Sequence, residues 1–171
     1  MSKLVLSGDT SGSVTLDAPA VSGTTTLTLP TITSKLAING PAFYASKTST
    51  QTLSAATFTK VTFNSEMYDT NNNFSSSTFT PNVAGYYQIS CGLYTAVNTL
   101  FIIQAYKNNI AVFEMLRTNA STSGTTGGGS GLIYCNGTTD YIEIFAYLQA
   151  GGNVGVASDF AWFSAAMVRS A

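Results

Sequence analysis

The sequence predicts an all-β protein, a single sandwich-like head preceded by a short extended β arm. Three observations carry that expectation. Nowhere do apolar residues hold the 3.6-residue spacing of an amphipathic helix over a useful length. From Pro41 to the end, strand-like runs alternate with turn clusters. Charged residues make up only 9% of the chain, and Ser, Thr, Asn and Gly supply the polar remainder, a composition suited to strands, turns and neutral surfaces. With 171 residues, 44% of them hydrophobic and 12% aromatic, the chain has material for one packed core and an appendage.

Residues 1–39 form the predicted arm. Ser11-Gly12-x-x-Thr15-Leu16-x-x-Pro19 recurs as Ser22-Gly23-x-x-Thr26-Leu27-x-x-Pro30, an offset of eleven residues. Each copy is a short β segment punctuated by Gly and Pro. Val14 and Leu16, then Leu27 and Leu29, alternate with polar residues, so each copy offers one thin apolar edge and no core of its own. These four residues are the expected attachment points, whether to trimer mates, a host particle or another protein.

Residues 40–171 form the predicted head, with eight to ten short strands. The clearest runs are 57–63, 85–95, 100–106, 111–116, 131–136, 141–148 and 160–168. Asn71-Asn72-Asn73, Lys107-Asn108-Asn109, Asn136-Gly137 and Gly151-Gly152-Asn153 supply the turns between them. Residues 119–130, rich in Ser, Thr and Gly, read as a long flexible loop.

Several strands are apolar on both faces. Ile142, Ile144, Ala146 and Leu148 alternate with Tyr141, Glu143, Phe145 and Tyr147, whereas a lone sandwich in water puts mostly polar groups on its second face. The last strand sets Phe160 and Trp162 on one side and Ala161, Phe163 and Met167 on the other. A buried subunit interface explains such strands economically. Its expected residues are Tyr141, Phe145, Tyr147, Phe163 and Met167.

The same residues argue against other classes. A net charge of −1, with seven scattered Lys and Arg, gathers no phosphates, so nucleic acid is not an expected partner. No apolar run is long enough for a spanning helix, and Met1-Ser2-Lys3 leads into a Ser/Gly/Thr stretch, which reads as a protein made and folded in the cytosol without membrane insertion. Cys91 and Cys135 are the only cysteines and are expected as buried thiols. There is no histidine, which removes the commonest general base and most zinc sites. Asp69 with Glu66 and Asp140 with Glu143 are the nearest candidate carboxylate pairs for glycoside hydrolysis, but turn and strand-end roles suit them better. Asp69, Asn71 and Asn73 are spaced as possible calcium ligands, yet no bidentate Glu follows. Tyr44, Tyr94 and Phe113 could make a sugar-stacking platform, with core or interface packing as the commoner fate. Gly124 to Gly131 lacks the Lys-Ser/Thr of a phosphate loop. No enzyme activity, cofactor or metal is expected.

One stretch carries a family resemblance. Phe63-Asn64, Tyr68-Asp69, Asn73-Phe74, Phe79-Thr80-Pro81 and Gly85-Tyr86-Tyr87 resemble the globular heads of the complement C1q and tumour-necrosis-factor superfamily. Lys107-Asn108, Leu132-Ile133 before Asn136-Gly137, Asp140-Tyr141-Ile142 and Phe163-Ser164-Ala165 are similar to its later pieces. The resemblance covers about residues 42–170 and implies a ten-stranded jelly roll that packs as a homotrimer. Ala165 stands where the family usually shows glycine followed by an aromatic residue, a departure at the interface strand. The repeat of residues 4–39, ending Thr26-Leu27-Thr28-Leu29-Pro30 and followed by Lys35-Leu36-Ala37-Ile38, resembles short modules at the starts of phage tail-fibre and virion-surface proteins. Together the two resemblances imply a bacteriophage virion protein, assembled in the host cytoplasm. Its expected role is head decoration or cement, with capsid or tail proteins as partners. A tail fibre or receptor-binding tip is the alternative, in which residues 119–130 meet a host surface glycan or protein.

Overall fold

The computed structural model describes residues 3–7, 10–17, 40–155 and 160–171. The chain divides into two compact units, Met1–Lys35 and Leu36–Ala171.

In the first unit, β1 (Lys3–Ser7) and β2 (Ser13–Asp17) form an antiparallel hairpin. The register sets Leu6 opposite Val14 and Leu4 opposite Leu16. The first repeat copy thus holds one short strand, as its sequence predicts, paired back on the residues before it. Val5 and Leu6 are each 54% exposed, so two strands alone leave apolar surface in water. Leu27 and Leu29 lie outside the described residues.

The described residues of the second unit form strands and turns with no helix. The strands are β3 (Ala42–Ser46), β4 (Gln51–Leu53), β5 (Thr59–Lys60), β6 (Ser65–Asp69), β7 (Phe74–Ser75), β8 (Thr78–Phe79), β9 (Gly85–Thr95), β10 (Leu100–Lys107), β11 (Ile110–Asn119), β12 (Thr125–Cys135), β13 (Ile142–Leu148), β14 (Gly152–Val154) and β15 (Trp162–Ser170). A six-stranded sheet runs β11-β10-β13-β8-β7, with β5 also paired to β13. A seven-stranded sheet runs β4-β14-β9-β15-β3-β6, with β12 on the other edge of β9. Every pairing within the two sheets is antiparallel.

Strict alternation builds the core between the sheets. Along β9, Tyr87, Ile89, Cys91 and Leu93 are buried, while Tyr86, Gln88, Ser90 and Tyr94 face outward. Ile142, Ile144, Ala146 and Leu148 are all fully buried on β13. Phe43 anchors the centre, stacked on Phe74 at 4.4 Å and edge-on to Phe163 at 4.8 Å. The buried Tyr87 hydroxyl donates to the Val83 carbonyl at 2.6 Å, so its polar end is satisfied. The Asn and Gly turns follow turn chemistry: Asn72, Asn108, Asn109, Gly137, Gly151 and Gly152 all adopt positive φ.

Among the described residues the head has thirteen strands where eight to ten were expected, several of them only two or three residues long, and two segments are also assigned differently. Residues 57–63 are not one strand; only Thr59–Lys60 pairs. Residues 119–130 are not a long loop either, since β11 runs to Asn119 and β12 begins at Thr125. The glycines of β12 serve close packing. A Cβ on Gly127 would meet Leu116, one on Gly129 the Met115 backbone, and one on Gly131 the Phe113 ring. The edge of the seven-stranded sheet can approach β11 of the other only where side chains are absent.

Candidate functional site: two outward sheet faces

The described residues offer little for catalysis. Burial pushes the Cys135 thiol up to about 11 and the Cys91 thiol higher still, so neither is a thiolate nucleophile near neutrality. Asp140 accepts from Lys107 at 2.8 Å, from Asn108 at 2.7 Å and from the Asn136 amide at 2.9 Å. Glu143 pairs with Lys60 at 2.6 Å and accepts from Thr78 at 2.9 Å. Both carboxylates are thus engaged in holding turns and strands together. Asp69 accepts from the backbone amides of Phe74 and Asn71, and the Asn73 side chain accepts from the Asn82 amide. The residues spaced like calcium ligands spend these oxygens on backbone donors, and no group of three acidic, Cys or His residues comes together among the described residues. Tyr44, Tyr94 and Phe113 stand on β3, β9 and β11 and form no common platform: Tyr44 stacks with Tyr68 and Trp162, Tyr94 lies tilted against Phe160, and Phe113 packs against the core.

The surface that remains is the outward face of each sheet, and the two differ. On the seven-stranded sheet, exposed apolar side chains gather at one end. Tyr86 is 45% exposed, Leu132 58%, Tyr134 42% and Val168 55%. They line a hollow of about 500 Å³ with Arg169, Ser170 and Ala171. The register explains the cluster, because Tyr134 pairs with Tyr86 across β12 and β9, and β15 meets the same stretch of β9 from the other side. Farther along, Trp162 lies over Gly92, where a Cβ would sit 2.7 Å from the indole nitrogen. With Ser90, Gly128 and Ser130 it borders a second hollow of about 450 Å³. Tyr68 adds another exposed ring on β6.

The six-stranded sheet covers its aromatics more completely. Phe145 and Tyr147 are half-buried. Tyr106 packs on Phe145 at 4.1 Å, and Phe58 packs on Tyr147 at 5.1 Å. The expected interface residues are therefore split. Phe145 and Tyr147 do point outward, with Tyr141 half-buried just before their strand. Phe163 is fully buried in the head's own core and so is not available to a neighbouring subunit, while Met167 packs against that core and stays partly exposed. On the last strand it is Trp162, Ser164, Ala166 and Val168 that occupy the outward positions. Leu132, Tyr134 and Tyr86 were not singled out from sequence as interface residues; their signal was alternation against the buried Ile133, Cys135 and Tyr87.

No protein-family model and no curated protein sequence matches the chain. Solved structures do match in shape. The globular domain of zebrafish complement 1qA superposes with a TM-score of 0.60 at 18% identity, covering 77% of this chain and 99% of that one. The head has a C1q/TNF-like jelly-roll fold. Murine APRIL agrees at a TM-score of 0.58 and 6% identity, over 76% of this chain and 100% of its own. Eiger TNF from S. frugiperda gives 0.54 at 7%, over 77% and 93%. At these identities the likeness concerns the C1q/TNF-like fold alone.

Proposed function

We propose that the protein is a trimeric, non-catalytic component of a bacteriophage particle, a head decoration or cement protein attached through its N-terminal arm. The observation that carries the assembly is the gathering of exposed apolar side chains on one face of the seven-stranded sheet. Monomeric proteins rarely leave such patches uncovered. A closed three-fold ring joins two different patches. Tyr86, Leu132, Tyr134 and Val168 form one, and the neighbouring β11 end, with Ile110 69% and Val112 43% exposed, forms the other. Three-fold packing is also what the sequence resemblance to C1q and tumour-necrosis-factor heads implies.

The virion role rests on the arm, whose repeat resembles modules of phage surface proteins. Its hairpin exposes Val5 and Leu6 and carries strand edges that further strands can extend. With Val14, Leu16, Leu27 and Leu29 it lies along capsid subunits. Three arms on one trimer bind cooperatively even where each binds weakly. A tail-fibre or receptor-binding tip is the second reading, favoured by the half-exposed aromatic face of the six-stranded sheet.

Two measurements test this reading. Sedimentation of the purified chain gives a trimer, and removal of residues 1–39 keeps that trimer while abolishing particle attachment. Immunogold electron microscopy of the source particles places label over the head. A folded monomer overturns the assembly, label confined to the tail end selects the fibre reading, and absence of label overturns the virion role.

A further inference from the structure

The outward face of the six-stranded sheet sets half-buried aromatic rings, packed on one another and on Phe58, beside paired polar groups. The register brings three rows together across β11, β10 and β13. Arg117, Ile102 and Tyr147 form one, Glu114, Gln104 and Phe145 the next, while Tyr106 opposes Glu143 in the third. Half-buried rings thus stand beside planar polar groups. Arg117 grips Glu114 through two bonds of 2.9 and 2.7 Å, and the Gln104 amide reaches the same carboxylate at 3.5 Å. The hydrogen bond from Arg117 holds the Glu114 carboxyl below its usual range, so it remains an ionised acceptor. No described residue hydrogen-bonds to the hydroxyl of Tyr106 or Tyr147.

Charge narrows the ligand class. Among the described residues of this face, four ionised groups cancel in two pairs, Arg117 with Glu114 and Lys60 with Glu143. An anionic or cationic ligand would have to break a pair to be neutralised, whereas an uncharged one need not. The exposed large apolar side chains of this sheet are confined to Ile110 and Val112 on β11, so the centre of the face is poor in the apolar area that a protein partner buries. What fits is a neutral ligand with an apolar C–H face for the rings and a rim of hydroxyls that both donate and accept.

We propose that this face binds a neutral hexopyranose unit of a surface polysaccharide, stacked on Tyr147 and the Tyr106–Phe145 pair and hydrogen-bonded by Gln104, Glu114 and Arg117. The site lies on the opposite sheet from the Tyr86, Leu132, Tyr134 and Val168 patch, and shares its own sheet with the second assembly patch, Ile110 and Val112 at the start of β11; its chemistry is complete within one subunit. In a trimer, three such sites facing one polysaccharide raise weak single-site binding by avidity of roughly 10²–10⁴.

The test is saturation-transfer NMR on the full chain, with neutral glucose, mannose and galactose oligosaccharides as probes and oligogalacturonate as the charged control. Transfer to the ring C–H protons of at least one neutral probe, stronger than to the control, is expected. Tyr147→Ala and Gln104→Ala should each weaken that binding about tenfold or more. Gln104 lies outside the hydrophobic core, and Gln104→Ala decides the matter if Tyr147→Ala does not fold. Absence of transfer from every neutral probe, transfer to the charged control alone, or unchanged binding by Gln104→Ala overturns the site. Sedimentation of the same samples reports assembly separately, so failure here leaves the trimer reading standing.

Discussion

Replacing Gly129 by alanine separates a structural strand from a flexible loop. The added Cβ would lie 2.5 Å from the Met115 carbonyl oxygen and 3.1 Å from the Met115 carbonyl carbon and Cα. These are backbone atoms of β11, so relief requires the strands to move apart by roughly an ångström to reach ordinary contact distances. Overpacking of this kind costs about 1–3 kcal/mol. Lower entropy of the unfolded chain returns about 0.4–1 kcal/mol. The net expectation is a loss of about 1–2 kcal/mol. Urea unfolding at fixed protein concentration measures it as a lower midpoint with unchanged slope. Thr126→Ala, on the exposed side of the same strand, is the control and stays within about 0.5 kcal/mol of wild type. A flexible loop would respond in the opposite sense, because only the unfolded-state term would remain. A midpoint that rises for Gly129→Ala therefore refutes the packing argument and returns residues 119–130 to the role of an adaptable contact loop.

Three other outcomes follow from the same structure. Leu132→Asp places a charge in the apolar patch and, on the proposed assembly, gives folded monomers in place of a trimer, read by sedimentation velocity with an unchanged circular-dichroism spectrum; a trimer that persists in the variant moves the interface elsewhere. Phe163→Ala removes a fully buried ring and lowers stability by about 3–5 kcal/mol, as a core cavity does, whereas an interface residue would weaken association and spare the subunit fold. Lys47 is 1% exposed, and its ammonium donates to Thr62 O at 2.8 Å, Thr62 Oγ1 at 2.9 Å and Gln51 Oε1 at 3.3 Å. Burial lowers its pKa from 10.5, so between the folded and unfolded values this group holds more protons in the unfolded chain and its own contribution to stability rises with pH; the buried Cys91, Cys135 and Tyr87 act in the opposite sense in both proteins, so the check is the difference between wild-type and Lys47→Met urea midpoints, which should shift in favour of wild type as pH rises through that window.

Much of the head was legible in the sequence because strands write their burial as alternation. The strand 85–95 was placed to the residue, and the inward face of 141–148 is the one its Ile and Leu residues mark. The Asn and Gly turns were legible for a related reason, since few other residues tolerate positive φ. The glycines of β12 were misread because composition does not distinguish a glycine that permits motion from one that permits contact. That distinction lies in Leu116, Met115 and Phe113, which come from another strand.

The interface residues show the same boundary. When both faces of a strand are apolar, parity groups its residues correctly but does not say which group meets the core. Phe163 and Met167 were grouped together rightly, but it is the core that covers Phe163. By itself the sequence determined an all-β head with its turns, a chemistry poor in catalytic groups, and a repeat ahead of the head. Tertiary structure alone decided which apolar surfaces were spent on the head's own core and which, around Tyr86, Leu132, Tyr134 and Val168, remained for another molecule. The physical reason is that hydrophobic burial is non-directional: a residue's preference to leave water is written in its side chain, but the surface that covers it is supplied by residues distant in the chain.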